Sequence, residues 1–197
     1  ISGFIWGGVL RTVAVHHGTF CVNSIAHIFG TQPYDDTNTS RDSWWVAFLT
    51  FGEGYHNFHH IFQADYRNGI KWYHFDPTKW LIKAFSIFGL ANKLKKTPQH
   101  SIDIAILDMK IKKNTRILET SSVDSIPYVE KMKTTRDKLR SAMFSLHKAT
   151  MEMKEGASKN SDELSAKIVQ LKQNVVDGEA EIYAIFKDIS NAKPNRA

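Results

Sequence analysis

The stretch that most limits what this chain can be is Gly52-Glu53-Gly54-Tyr55-His56-Asn57-Phe58-His59-His60. It sets three histidines at i, i+3 and i+4, a spacing that puts side chains on one face of a helix, one turn apart. Three neutral imidazoles aimed the same way make a poor core and a good transition-metal site. A surface cluster would carry this spacing only by coincidence, and a second group upstream points to the same chemistry. In Asn23-Ser24-Ile25-Ala26-His27, Asn23 and His27 stand at i and i+4. Ligand type alone leaves iron, zinc and copper open.

The two halves of the 197 residues differ, so averages over the whole chain mislead. The hydrophobic content of 42% and mean hydropathy of -0.33 read as an ordinary soluble protein. Yet residues 1–30 carry one formal charge, Arg11. That stretch is long enough to cross a hydrocarbon core, which takes about 20 residues, and it is read as a transmembrane helix. Arg11, His16, His17 and Asn23 interrupt it. Polar groups at such depth must face a bundle interior or a wet cavity, and a metal site at the helix end would provide one. At about 1.5 Å per residue, His16 lies about 16 Å from His27, too far to share a metal. His16 is therefore expected to line a cavity or to be hydrogen-bonded, not to act as a ligand.

Gly30 ends this helix, and a polar loop with Pro33, Asp35, Asp36, Asn38 and Ser40 follows. Trp44 and Trp45 suit either a membrane interface or a core. Three roles are open to Glu53: accepting an imidazole N–H beside a metal, pairing with Arg11, or serving as a helix-start acid. Asn57 either supports the site or faces solvent. Asp76-Pro77 is a helix start, with Asp76 as N-cap. The helix to about residue 90 puts Trp80, Leu81, Ala84, Phe85 and Phe88 on one stripe opposite Lys79 and Lys83, which suits an interfacial helix or packing against the rest of a cytosolic cap. Between 61 and 97, seven Lys/Arg stand against Asp65 and Asp76. The excess suits anionic head groups on the cytoplasmic side, and no recognition fold points to nucleic acid. The lone Cys21 excludes an intrachain disulfide.

Taken together, Asn-Ser-x-Ala-His, the loop with Gln32-Pro33-Tyr34-Asp35, Trp44-Trp45 and Gly-Glu-Gly-aromatic-His-Asn-x-His-His resemble the membrane fatty-acid desaturases. Among these, the acyl-CoA (stearoyl-type, Δ9) enzymes and their bacterial acyl-lipid relatives are the most similar. The likeness runs from about Leu10 to Lys96. It implies two Fe ions, with His27, His56, His59 and His60 as ligands and Asn23 holding a water on one of them. It also implies Thr19 and Phe20 beside the acyl chain, with Phe20 standing where the family has tryptophan. The implied reaction is O₂-dependent introduction of a cis double bond into a saturated acyl-CoA or acyl-lipid. The implied electron donor is a small transfer protein, a ferredoxin or a b-type cytochrome. The family's first two histidine boxes are absent, and the chain begins at Ile1. It is therefore read as the C-terminal part of such an enzyme, inactive alone. A histidine-box hydroxylase, a zinc-binding structural protein and a non-catalytic, membrane-attached helical interaction module are the rival readings.

Beyond the resemblance, 98–124 is expected as linker. Leu139, Ala142, Leu146, Ala149 and Met153 recur at steps of three and four, as do Leu164, Ile168, Leu171, Val175, Gly178, Ile182, Ile185 and Ile189. These heptad-like seams predict a helical hairpin or short coiled coil over 125–192, open to self-association. Asn160 with Glu163 reads as a capping box, and His100 and His147 as solvated. The expected fold is all-α. It comprises a fragment of a membrane helical bundle with a cytosolic helical cap (1–97, histidine box facing the cytoplasm), followed by the tail.

Overall fold

The computed structural model describes residues 1–120, 125–156 and 161–191. Among these, every regular element is helical. Extended pairing is confined to the isolated bridges Thr31↔Asp42 and Asp42↔Tyr55. The chain divides into two compact units between Pro98 and Gln99.

The first unit opens with α1 (Ser2–Phe4), a π-helical segment Ile5–Leu10 and α2 (Arg11–Ile28), which follow one another without a break. The helix expected over about 1–30 is thus present. However, no described helix is long and apolar enough to cross a membrane. The physical reason is visible in α2, whose 18 residues include Arg11, His16, His17, Asn23 and His27. Much of the apolar surface of the continuous helical run over 2–28 is bare: Phe4, Trp6, Val15 and Phe20 are all exposed. Gly30 then turns the chain at φ +127°, where a Cβ would stand 2.4 Å from the Asp42 carbonyl oxygen. Only glycine lets the Thr31↔Asp42 bridge close.

Two short helices follow, α3 (Trp44–Leu49) and α4 (His56–Ile61). Gly54 lies between them against the α3 backbone, where a Cβ would be 2.0 Å from the Ala47 nitrogen. Helix α5 (Pro77–Ile87) starts as the Asp76-Pro77 pair predicts, the Asp76 carboxylate accepting the Lys79 N–H. One residue of its polar face, Lys79, departs from expectation. Trp80, Leu81, Phe85 and Phe88 are exposed, whereas Lys79 is buried. The Lys79 ammonium donates to the carbonyls of Gly69 (2.7 Å), Lys71 (2.9 Å) and His74 (3.2 Å). A charged group leaves water at small cost when three acceptors replace its hydration.

The second unit holds α6 (Gln99–Glu119), α7 (Ile126–Lys154) and α8 (Ser161–Asn191). Most of the stretch expected as linker is therefore helix. Its stripe Ile104, Leu107, Ile111, Leu118 carries Asn114 where the spacing calls for an apolar residue, which hides the period. Helices α7 and α8 run antiparallel: Leu139 packs on Gly178, and Ala149 clusters with Leu164 and Ile168. The main core joins Leu107 and Ile111 of α6 to Met132 and Leu139 of α7 and Ile182 and Ile185 of α8. Met153, expected on the seam, is exposed. His100 and His147 are not simply solvated: their rings lie 4.4 Å apart, between α6 and α7. The proposed cap Asn160 and residue 192 lie outside the described residues.

Candidate metal centre

The last turn of α2 and the single long turn of α4 bring three imidazoles together. His56 Nε2 lies 3.1 Å from His27 Nε2 and 3.0 Å from His60 Nε2. One nitrogen from each ring falls within 4.8 Å of the others, and this is the only such group among the described residues. The spacing explains the choice of ligands. At about 100° per residue, His56 and His60 differ by about 40° around α4, whereas His59 lies about 60° to the other side. His59 accordingly stands apart, its ring 6.1 Å from that of His56 and 6.0 Å from that of His60. The structure brings together three of the four expected histidine ligands.

The donor set fits a metal ion. His56 Nε2 meets two other ring nitrogens, yet it has one in-plane site and can donate or accept a proton there only once. A shared cation removes that conflict. With metal–nitrogen bonds of about 2.0–2.1 Å, ligands at right angles would stand about 2.9 Å apart and tetrahedral ones about 3.4 Å. The observed 3.0 and 3.1 Å fall between. The electrostatics agree. Burial, and then the neighbouring imidazoles His60, His27 and His59, push His56 down to about 4. His60 is lowered by burial and by His59 and His27. Both therefore present lone pairs at neutral pH.

What fixes this geometry is a strap over residues 39–43 that joins the two ligand-bearing helices. The Thr39 hydroxyl lies 2.8 Å from His27 Nδ1. The Arg41 N–H donates to the Ala26 carbonyl at 2.8 Å, and the Arg41 carbonyl accepts the His56 N–H at 3.3 Å. Asp42 Oδ1 accepts the N–H groups of Asn57 (2.8 Å) and Phe58 (3.1 Å). These are unsatisfied donors in the first turn of α4, so Asp42 caps that helix from outside it. Burial pushes the Asp42 carboxyl up to about 7, against the opposing pull of those two donors. Neither Thr39 nor Asp42 stands out in the sequence, where each reads as one more polar loop residue.

Other residues singled out by sequence take varied places. Asn57 is fully buried and faces away from solvent. Its Oδ1 accepts the Tyr34 N–H, and its Nδ2 donates to the carbonyls of Asp35 and Ser40, so it moulds the 34–40 loop. Glu53 Oε1 accepts from Asn68 Nδ2 at 3.3 Å, and neither an imidazole nor Arg11 is its partner among the described contacts. Thr19, Asn23, Glu53 and His56 line one cavity of about 750 Å³. Val15 and Leu49 add apolar wall to it. Phe20 does not line it; the ring is 62% exposed and sits nearest His16 and His17. His16 is likewise absent from that wall.

Comparison with known proteins finds relatives of this unit. A family model described as fatty acid desaturase matches residues 1–90. The chain is 52% identical over 113 residues to the acyl-CoA desaturase 1 of Saccharomyces cerevisiae, covering 57% of this chain and 22% of that protein. It is 52% identical over 111 residues to a probable acyl-CoA desaturase of Schizosaccharomyces pombe, covering 56% and 23%. It is 46% identical over 95 residues to an sn-1 stearoyl-lipid 9-desaturase of Synechocystis, covering 48% and 30%. The chain thus spans between a fifth and a third of the length of these relatives.

Proposed function

We propose that the chain, whose residues 1–90 match the fatty acid desaturase family model, contributes to a membrane-bound fatty acyl desaturase. That enzyme introduces a cis double bond into a saturated acyl-CoA or acyl-lipid, with O₂ as oxidant and two electrons from a small transfer protein. The observation that carries the reading is the convergence of the His27, His56 and His60 nitrogens from two helices.

In this proposal His27, His56 and His60 hold iron, and His59 joins them in holding a second iron. When bound, an iron pair supplies the oxidising power needed to remove hydrogen from an unactivated methylene, which side chains cannot supply. The chain's own residues position and shield. His56, lowered by burial, stays neutral and keeps its lone pair available. Asn23, one turn before His27, offers an amide that can hold a water beside the centre. The cavity touching Thr19, Asn23 and His56 has the apolar walls an acyl chain requires, and Thr19 borders that chain. Phe20 does not line this cavity, so the wall beside the acyl chain rests on Thr19 and its apolar neighbours. The bare apolar surface of α1 and α2 supports a place within a lipid-embedded bundle, where Arg11 and Asn23 of α2 face the cavity beside the metal site. The basic excess after the histidine box supports a cytoplasmic side for that box.

A graft tests the proposal. Residues 1–98 replace the matching segment of the yeast relative in cells lacking their own acyl desaturase, and cellular fatty acids are analysed. Restored monounsaturated products, lost again with His56→Ala or His59→Ala, are expected. An inert graft beside an active unaltered parent sinks the reading, and hydroxylated products replace it with a hydroxylase.

A further inference from the structure

We infer that Thr39 is a positioning residue for this metal centre. Its hydroxyl accepts the Nδ1–H of His27, fixing the tautomer and ring angle that bring the His27 Nε2 lone pair to the point His56 and His60 also face. The inference rests on the reading of the site given above.

An imidazole in a half-open setting can turn about its own axis and exchange its two nitrogens. His27 is in such a setting: it is only partly buried, on the final turn of α2. A single polar side chain meets its ring on the Nδ1 side, the Thr39 hydroxyl at 2.8 Å. An N–H given to an oxygen at Nδ1 leaves Nε2 unprotonated, the form a cation needs.

The residues flanking Thr39 are tied down. Next to it, the Ser40 carbonyl accepts from Asn57 of α4, and Asn38 Oδ1 accepts the Ser40 N–H. One residue further, Arg41 bonds to Ala26, the neighbour of His27, and to His56. Thr39 is therefore fixed relative to both ligand-bearing helices, and a shift of either is carried to the His27 ring. His56 shows no such partner. It is buried, and its Nδ1 has none among the described residues, so packing sets its ring.

The test is a Co²⁺ titration of the whole detergent-solubilised chain, followed by the visible d–d absorption of the bound ion. Thr39→Val removes the hydroxyl at constant shape, and a binding constant weaker by about 10–100-fold is expected, with an altered band and an unchanged helical circular dichroism signal. Thr39→Ser should recover most of the affinity. If Thr39→Val loses its fold, the pair Thr39→Ala and Thr39→Ser decides in the same way. Unchanged binding by the hydroxyl-free variant, beside lost binding by His56→Ala, overturns the role of Thr39 and leaves the site standing. A serine variant as weak as the hydroxyl-free one also overturns it. No Co²⁺ band from the unaltered chain overturns both readings together.

Discussion

The two units of this chain are held together by different forces. Among the described residues, all but one of the buried polar side chains lie in the first unit, including Ser40, Asn57, Asp65, Asp76 and Lys79; Thr135 is the exception. The second unit is sealed by aliphatic residues at heptad-like spacing, with Leu118, Met132, Leu139 and Ile185 nearly solvent-free. Burial of apolar area has no direction, so a bundle built that way tolerates small shifts of one helix on another. Hydrogen bonds do have direction and fail over a few tenths of an ångström. A metal site needs donors placed to about that tolerance. A polar scaffold is thus suited to holding three imidazole nitrogens at one point, whereas an aliphatic bundle is suited to stability.

The largest effect expected from this contrast is at Gly54. In Gly54→Ala the added Cβ would overlap the Ala47 nitrogen at 2.0 Å and the Val46 carbonyl carbon at 2.5 Å. The chain before α4 must then move, and Co²⁺ binding should vanish while the helical signal of α6–α8 persists. Binding retained within tenfold would mean that the site does not depend on this close approach. Next is Ile185→Ala in the second unit. Its side chain is 2% exposed, and truncation should cost about 2–5 kcal/mol, read from urea unfolding of the helical signal. Co²⁺ affinity should stay as it was. A matching loss of affinity would show that the two units do not behave separately.

The same contrast explains what could be read from the sequence. Histidine spacing announced the site because a helix turns each residue by a fixed angle, and that angle also explains why His59 stands apart from His56 and His60. The α7 and α8 seams were legible for the same reason. Thr39 and Asp42 were not, because their partners His27, Asn57 and Phe58 lie 12–16 residues away. A loop's path carries no period from which such a contact could be inferred. Lys79 misled because a lysine on a helix is normally a solvated charge, and only the folded 69–74 loop supplies its three carbonyls. Helix α6 was missed where one asparagine interrupts its stripe.

A smaller effect is expected at Asp42. Asp42→Ala removes a cap from α4 and leaves two N–H groups without an acceptor, worth about 0.5–2 kcal/mol by analogy with N-cap replacements. Co²⁺ affinity should fall, though less than in the Gly54 variant, and Asp42→Asn should recover part of it because an amide oxygen still accepts. An asparagine variant no better than alanine would show that the carboxylate charge, rather than the cap, holds α4.

The smallest effect concerns the second unit, where directional chemistry is scarce. Burial, and then the facing His147, lower the His100 pKa, with Asp103 pulling the other way. A histidine that resists protonation in the folded chain is protonated more readily once unfolded, where its pKa is about 6.5. The stability it contributes is therefore whole above that pH, and is lost as pH falls through it toward the folded-state value. Melting of the helical signal between pH 8 and 5.5 should show a modest decline over that window, before most carboxylates titrate. In His100→Gln the decline should be shallower. An equal slope in both proteins would mean that the His100–His147 pair plays no part, and that the second unit rests on its aliphatic seam alone.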